Sequence, residues 1–494
     1  MTNDFPELDV KNQASLEGVN FTAGGDLVLN QLGIDLATPQ LADISPWEFA
    51  HYMAVENWLT EYQPKPDSSN LEQVRGYLEA FDHLCEVSDW EKASKILFIH
   101  LNLAHSKALH EQLGTWGYYR EQIEFYINLL HKVNRDLDCI CLHGLGWAYC
   151  HLGQPRIAID YHQRLLDVAC EIQNRKAEAQ ARGGLGRIYF WCLDRFEIAL
   201  QHYQEKLKIA GEICDRQQEI EALDGLASVY SVIGQHQKSI KYCQQALVIA
   251  SEIGEVEMEV TISATIGSTY RLMGRPDKGL EFFQQILDAP YKIRDRHQEW
   301  SILHDTGAIY CTLGKHQNAI EYLEKALQII QELGDKFGES WTLASIGATY
   351  ARSGHYDTAI GYFQPLLTIS HLIGNRFLEG FTSSNISYCY GCLKQHKKAI
   401  RYAKLAMKIA REINDQQLKA ASVITLACAY WYKGEYLRGL VLAVRAILII
   451  PPWKSENGKL IFNTVIQKLS QPLERIGQYF LTLFQFKNRN KKPT

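Results

Sequence analysis

Over most of the chain, apolar residues recur at intervals of three and four, the spacing that lines one face of a helix. In residues 317–333, Ile320, Leu323, Leu327 and Ile330 form the apolar stripe of a predicted helix. Another helix is predicted just before it, from about 296 to 313. Gly314 separates the two by taking the left-handed conformation that glycine adopts at little cost. Asp295 stands where it would cap the first helix, and Asp335 does the same for the next pair. Asn174, Asp215, Asn375 and Asp415 are the equivalents elsewhere, while Glu255 holds that place as a poorer cap.

The helix pair is one unit of a repeat. Tyr149, Tyr189, Tyr230, Tyr270, Tyr310, Tyr350, Tyr390 and Tyr430 are separated by 40, 41, 40, 40, 40, 40 and 40 residues. A fixed period sets the fold class before any single residue is read. Gly307 and Tyr310 share a face of the first helix, and Ala319 lies on the facing side of the second. The small residues are expected to let the backbones approach, and the tyrosine ring to fill the space left. Gly146, Tyr149, Gly153 and Ala158 repeat the set, as do Gly347, Tyr350, Gly354 and Ala359. Ser239 and Gly279 replace the alanine, and Ala227, Ser387 and Ala427 replace the glycine, so every departure is also small. One unit carries an extra residue in FWCLDRFEIAL, 190–200, which should bulge its turn.

Outside these units the pattern weakens. Residues 1–45 lack helical periodicity. Val19 and Phe21, then Gly24-Gly25, then Leu27 and Leu29 read as a β-hairpin with a glycine turn. Residues 46–70 hold a helix and the linker QPKPDSSN. Residues 71–135 read as degenerate helical repeats, and 136–452 as eight regular ones ended by Pro451-Pro452. Residues 453–485 are expected to form capping helices, split at Pro472, and 486–494 a basic disordered tail.

Composition narrows the function classes. At 494 residues the chain exceeds what one core normally supports, a limit that a repeat array escapes because each unit touches only its neighbours. A formal charge of −5 argues against a general nucleic-acid binder. The start, MTNDFPELDVKNQ, has no apolar segment of a signal peptide, and the most apolar stretch, RGLVLAVRAILII at 438–450, is interrupted by Arg438 and Arg445. No stable membrane insertion is expected, and a cytoplasmic location is. The 12 cysteines are then read as reduced, small core residues.

The motif LG-x-x-Y-x-x-x-G, then A-I-x-Y, as in Leu145, Gly146, Tyr149, Gly153, Ala158, Ile159 and Tyr161, resembles the tetratricopeptide repeat family in its longer form. The resemblance runs over about 136–450, and more weakly over 71–133. EQVRGYLEAFDHLCEVSDWEKASKIL, 72–97, is similar to segments of bacterial, cyanobacterial-type arrays of this family. The resemblance implies an all-α, right-handed solenoid whose first helices line a concave groove, with a peptide or partner segment bound there.

If Gly307 and Tyr310 face the core, then Ser301, His304, Ala308, Cys311 and Thr312 face the groove. The same offsets give His143, Trp147 and His151; Arg187, Phe190 and Trp191; Asp224 and Ser228; Ser268 and Arg271. They continue with Trp341, Ala348 and Arg352; Phe381, Tyr388 and Cys392; Trp431 and Tyr432. The expected ligand groove is therefore His143, Trp147, Arg187, Trp191, Asp224, Arg271, His304, Trp341, Arg352 and Tyr388. Arginine and aromatic residues commonly anchor interfaces, which points to a protein or peptide partner with acidic and apolar groups. Two readings stand for Phe190, Phe381 and Trp431: ligand contact, or packing against the neighbouring first helix. For the arginines the alternative is solvated surface.

Motifs for chemistry are sparse. There is no HExxH, and His100, His105 and His110 each turn about 140° from the last at ~3.6 residues per turn. Cys389–Cys392 and Cys139–Cys141 have no second pair at zinc-site spacing. The glycine clusters GLGWAY, 144–149, and GGLGRIY, 183–189, follow no strand, so they are helix-contact glycines and not a dinucleotide loop. No enzyme and no cofactor are expected. The reading is an interaction scaffold or sensor, with self-association through the N-terminal segment as one role for 1–45 and a flexible tail as the other. A regulatory switch that changes curvature on binding is the alternative, and an enzyme using groove Cys and His residues the remote one.

Overall fold

A computed structural model describes residues 24–35, 44–65, 68–101, 107–193, 195–288 and 296–449. The expected capping helices, the basic tail and the first half of the N-terminal hairpin lie outside them. Among the described residues the fold is all α, and the one departure is an isolated bridge between His100 and Ala108.

Seven helices come first: α1 (Gly25–Leu32), α2 (Pro46–Thr60), α3 (Asn70–Gln73), α4 (Arg75–Glu86), α5 (Trp90–Leu97), α6 (Leu109–Thr115) and α7 (Tyr119–Leu129). Helix pairs follow: α8 (Arg135–His151) with α9 (Pro155–Glu171), α10 (Arg175–Trp191) with α11 (Phe196–Glu212), and α12 (Arg216–Val232) with α13 (His236–Ile253). Next come α14 (Val256–Leu272) with α15 (Pro276–Leu287), and α16 (Arg296–Thr312) with α17 (His316–Leu333). The last are α18 (Lys336–Arg352) with α19 (Tyr356–Leu372), α20 (Arg376–Cys392) with α21 (His396–Glu412), and α22 (Gln416–Tyr432) with α23 (Tyr436–Ile449). The chain divides into two compact units, residues 1–342 and 343–494.

The helix boundaries have local causes. Asn134, Asn174, Asp215, Asn375 and Asp415 each accept a hydrogen bond from the backbone three residues on, whereas Glu255 makes no side-chain cap. Gly314 ends the α16–α17 turn at φ 71°. The leading helices also carry a clamp. Arg296 reaches Glu299 at 2.5 Å and Glu332, at the end of the paired helix, at 2.6 Å. Arg175 with Glu178 and Glu212, and Arg376 with Glu379 and Glu412, repeat it.

Two expectations change. Gly25–Leu32, the second half of the expected hairpin, is helix α1, because Val28, Leu29 and Leu32 fall on one helical face and are buried while Leu27 is 56% exposed. The tyrosines do not plug the glycine gaps. A Cβ on Gly307 would lie 2.6 Å from Leu323 Cγ, so the plug is the second helix's own apolar knob. Tyr310 instead stacks on Tyr322 with centroids 5.3 Å apart. The same stack recurs as Tyr149–Tyr161 at 5.4 Å, Tyr230–Tyr242 at 5.5 Å and Tyr390–Tyr402 at 5.7 Å. Twelve residues separate the partners in these stacks, so leading and following helices are pinned at one height.

Within the first unit the array turns far enough to meet itself. The His151 ring, at the end of α8, lies 4.6 Å from that of Phe337 in α18 and stacks on Tyr119 at 5.2 Å. Trp116 lies against the α17–α18 turn, where a Cβ on Gly334 would approach its Cδ1 to 3.0 Å.

Candidate functional site

The leading helices of the first unit present a wall of half-buried positions. Leu142 and Leu145 of α8 point inward and are fully buried, which turns His143 and Trp147 to the opposite face. The Trp147 indole N–H donates to His143 Nε2 at 3.0 Å. From α10, the exposed Arg187 holds its guanidinium 4.9 Å above the Trp147 ring, a cation–π pair. Arg187 also acts electrostatically on Tyr203 of α11 and on Asp224 of α12, whose carboxylate accepts from the Thr265 hydroxyl of α14 at 2.7 Å. Four leading helices, with Tyr203 of α11, thus build one connected cluster.

Its floor comes from the following helices. His162 of α9 is fully buried between two glycines; a Cβ on Gly146 or Gly184 would come within 2.5 or 2.4 Å of its ring. Tyr203 of α11 fills the corresponding gap, 3.1 Å from a Cβ on Gly186 and 2.4 Å from one on Gly225. Lys206 Nζ would meet a Cβ on Gly183 at 3.0 Å; it is 5% exposed and pairs with Glu221 Oε2 at 2.6 Å. The cluster GGLG at 183–186 therefore makes room for His162, Tyr203 and Lys206, three polar side chains where other units place apolar ones.

That packing against small residues is repeated along the chain. The sequence model of the tetratricopeptide repeat matches residues 218–291 and 301–370, and a second tetratricopeptide repeat model matches residues 141–176. The chain is a tetratricopeptide-repeat protein. Solved structures similar to it include a signal-transduction ATPase with a tetratricopeptide repeat sensor from Pyrococcus horikoshii, at 17% identity. That match covers 90% of this chain and 73% of that one with a TM-score of 0.46. A Rap protein complexed with competence and sporulation factor is similar at 16% identity, over 76% of this chain and 97% of that one, TM-score 0.46. The apo quorum sensor NprR from B. thuringiensis is similar at 14%, over 77% and 100%, TM-score 0.43. No curated protein matches the sequence.

Burial sets the charge of the tetratricopeptide wall. It pushes His143 down to about 4, helped by Lys206 and Arg187, and His151 down to about 4, helped by Arg187. His162 falls well below the usual histidine range through burial, then through His143 and Arg187, and neither of its ring nitrogens has a hydrogen-bond partner. These three rings are neutral at pH 7. Burial lowers Lys206 while Glu221 raises it, and burial raises Asp224 against the opposing Thr265 and Arg187.

The other expected residues are spread along the array. Trp191 is 65% exposed beside the buried Phe190, which packs as a core residue. Arg271 ends α14, and His304 in α16 places Nδ1 3.5 Å from Asp305. Trp341 is half exposed and meets Phe337 edge-on at 6.2 Å. In the second unit, Arg352 is exposed, Tyr388 packs edge-on against Tyr356 at 6.2 Å, Trp431 is buried and Phe381 is exposed. His162, Tyr203, Lys206 and Glu221 were not among the expected residues, because three of them sit on following helices. Among the described residues no helix is long and apolar enough to cross a membrane.

Proposed function

We propose that this is an interaction protein that holds a peptide or partner segment against the inner wall of its first unit. The observation that carries the reading is the Arg187 guanidinium, exposed and held over the Trp147 ring, with N–H donors to offer a carboxylate. Trp147 and the exposed Trp191 offer apolar surface on either side in sequence. Arg271 is the further cation for an acidic segment lying along this wall; Arg352 and Tyr388 would serve a ligand of the second unit.

An array of peptides graded in acidic content tests it. A charge-assisted hydrogen bond contributes about 1.5–3 kcal/mol, so Arg187→Ala should weaken the best acidic peptide by roughly 10- to 100-fold. Equal binding by Arg187→Ala and the parent sinks the reading. A second reading, a switch that alters the curvature of the array, is favoured by the His151–Phe337 self-contact. Small-angle scattering unchanged by a saturating peptide rejects it.

A further inference from the structure

We propose that Cys150 and Cys192 form a reversible disulfide on exposure to a peroxide, which makes this pair an oxidation site at the ends of two wall helices. Their sulfurs lie 3.7 Å apart, on α8 and at the end of α10, in residues separated by 42 positions. Closing by roughly 1.7 Å reaches the ~2.05 Å of a disulfide.

The inserted residue lengthens the turn that follows α10. In the regular turns the backbone N–H five residues after the tyrosine returns to its carbonyl, as in Gln154 to Tyr149 at 2.9 Å and Lys315 to Tyr310 at 3.0 Å. In this turn the bond comes from Arg195 to Tyr189 at 2.8 Å, one residue later. Cys192 occupies the place that Leu152, Ile233, Met273 and Leu313 hold in other units. Leu152 is buried, yet Cys192 is exposed, so the widened turn has lifted it out of the packing. Cys150, half-buried beneath it, is positioned to receive it.

The chemistry has two steps. The exposed Cys192 sulfur attacks a peroxide oxygen, the O–O bond breaks, and Cys192 becomes a sulfenic acid while water or an alcohol leaves. The Cys150 sulfur then attacks the Cys192 sulfur, the S–O bond breaks, and the departing hydroxide takes up the Cys150 proton as water. The two thiols give two electrons and the peroxide accepts them. The contact with Cys192 and burial raise the Cys150 thiol, against the weaker effect of Arg187, which leaves the exposed Cys192 as the sulfur that meets the peroxide first. Once closed, the bond ties together the helices that carry Trp147 and Arg187.

The full chain, treated with hydrogen peroxide and digested with trypsin, gives the test by mass spectrometry. A linked pair of peptides 136–156 and 188–195 is expected, lost on treatment with dithiothreitol. It should persist in Cys139→Ser and Cys141→Ser and vanish in Cys150→Ser and Cys192→Ala, with the exposed Cys192→Ala keeping the parent's circular dichroism. The oxidised parent should also melt at a higher temperature than the reduced one. Absence of the linked pair in folded parent protein overturns the proposal, as does its persistence in Cys150→Ser, which would place the bond on Cys139 or Cys141.

Discussion

Two stretches of the first unit build the same helix contact with opposite chemistry. From α14 to α17 the glycine gaps are plugged by Phe283 and Leu323, both buried, with Ile286 and Ala326 one turn on. From α8 to α11 the plugs are His162 and Tyr203, with Lys206 one turn on. The glycine gap requires only a side chain of fitting volume, so its polarity is free to vary. Where it turns polar, the side chains join Trp147, Arg187 and Asp224 in a single network, and packing and wall become one structure.

The largest effect expected is at an apolar plug. Phe283→Ala should cost about 3–5 kcal/mol by leaving a cavity, read as a lowered urea midpoint. A loss under about 1 kcal/mol would mean that the gap collapses and the plug is not structural. The next is the buried ion pair. Glu221→Gln leaves the Lys206 ammonium without its carboxylate and should cost about 1.5–3 kcal/mol. Lys206→Met, which restores an apolar knob and frees the more exposed Glu221 to hydrate, should cost less, and the reverse order would break the comparison.

Acid should act on the polar stretch. His143 and His151 take up protons near 4 when folded but near 6.5 when unfolded, so below pH 6.5 the unfolded chain binds more protons. Stability therefore falls as pH drops from 6.5 towards 4, by up to about 1.4 kcal/mol per pH unit for each ring. His162→Phe, which copies the plug of α15, should be at least as stable as the parent at pH 7 and lose less between pH 7 and pH 5. Parallel acid profiles for the two proteins would remove His162 from the account. The smallest effect expected is at the outer clamp: Arg175→Ala should cost no more than about 1 kcal/mol, because its ion pairs with Glu178 and Glu212 reach solvent.

The period and the capping residues make the helix pairs legible in the sequence alone. The stripe on the leading helices likewise placed His143, Trp147, Arg187 and Asp224 on one side. The tyrosines were harder to read, because glycine and tyrosine spacing shows that a close contact exists but not which ring enters it. The polar knobs lie on the following helices, outside the stripe that the leading helices carry. Lys206 nevertheless had a signal, a lone cation in a column otherwise filled by Leu165, Ala246, Ile286 and Ala326. Residues 25–32 fit a period of two and one of 3.6 almost equally, and a segment so short cannot decide between them. The self-contact of the first unit was illegible for another reason: it depends on a small rotation per repeat summed over the array.

That self-contact carries a consequence for how such a chain changes over generations. An open stack tolerates gain or loss of a whole repeat, since each new neighbour meets the same surface as the old one. Here His151 and Phe337 meet only when five helix pairs, α8 to α17, precede α18. Duplicating or excising a pair between α10 and α17 would carry Phe337 away from His151, so this contact ties the first unit to its present repeat number.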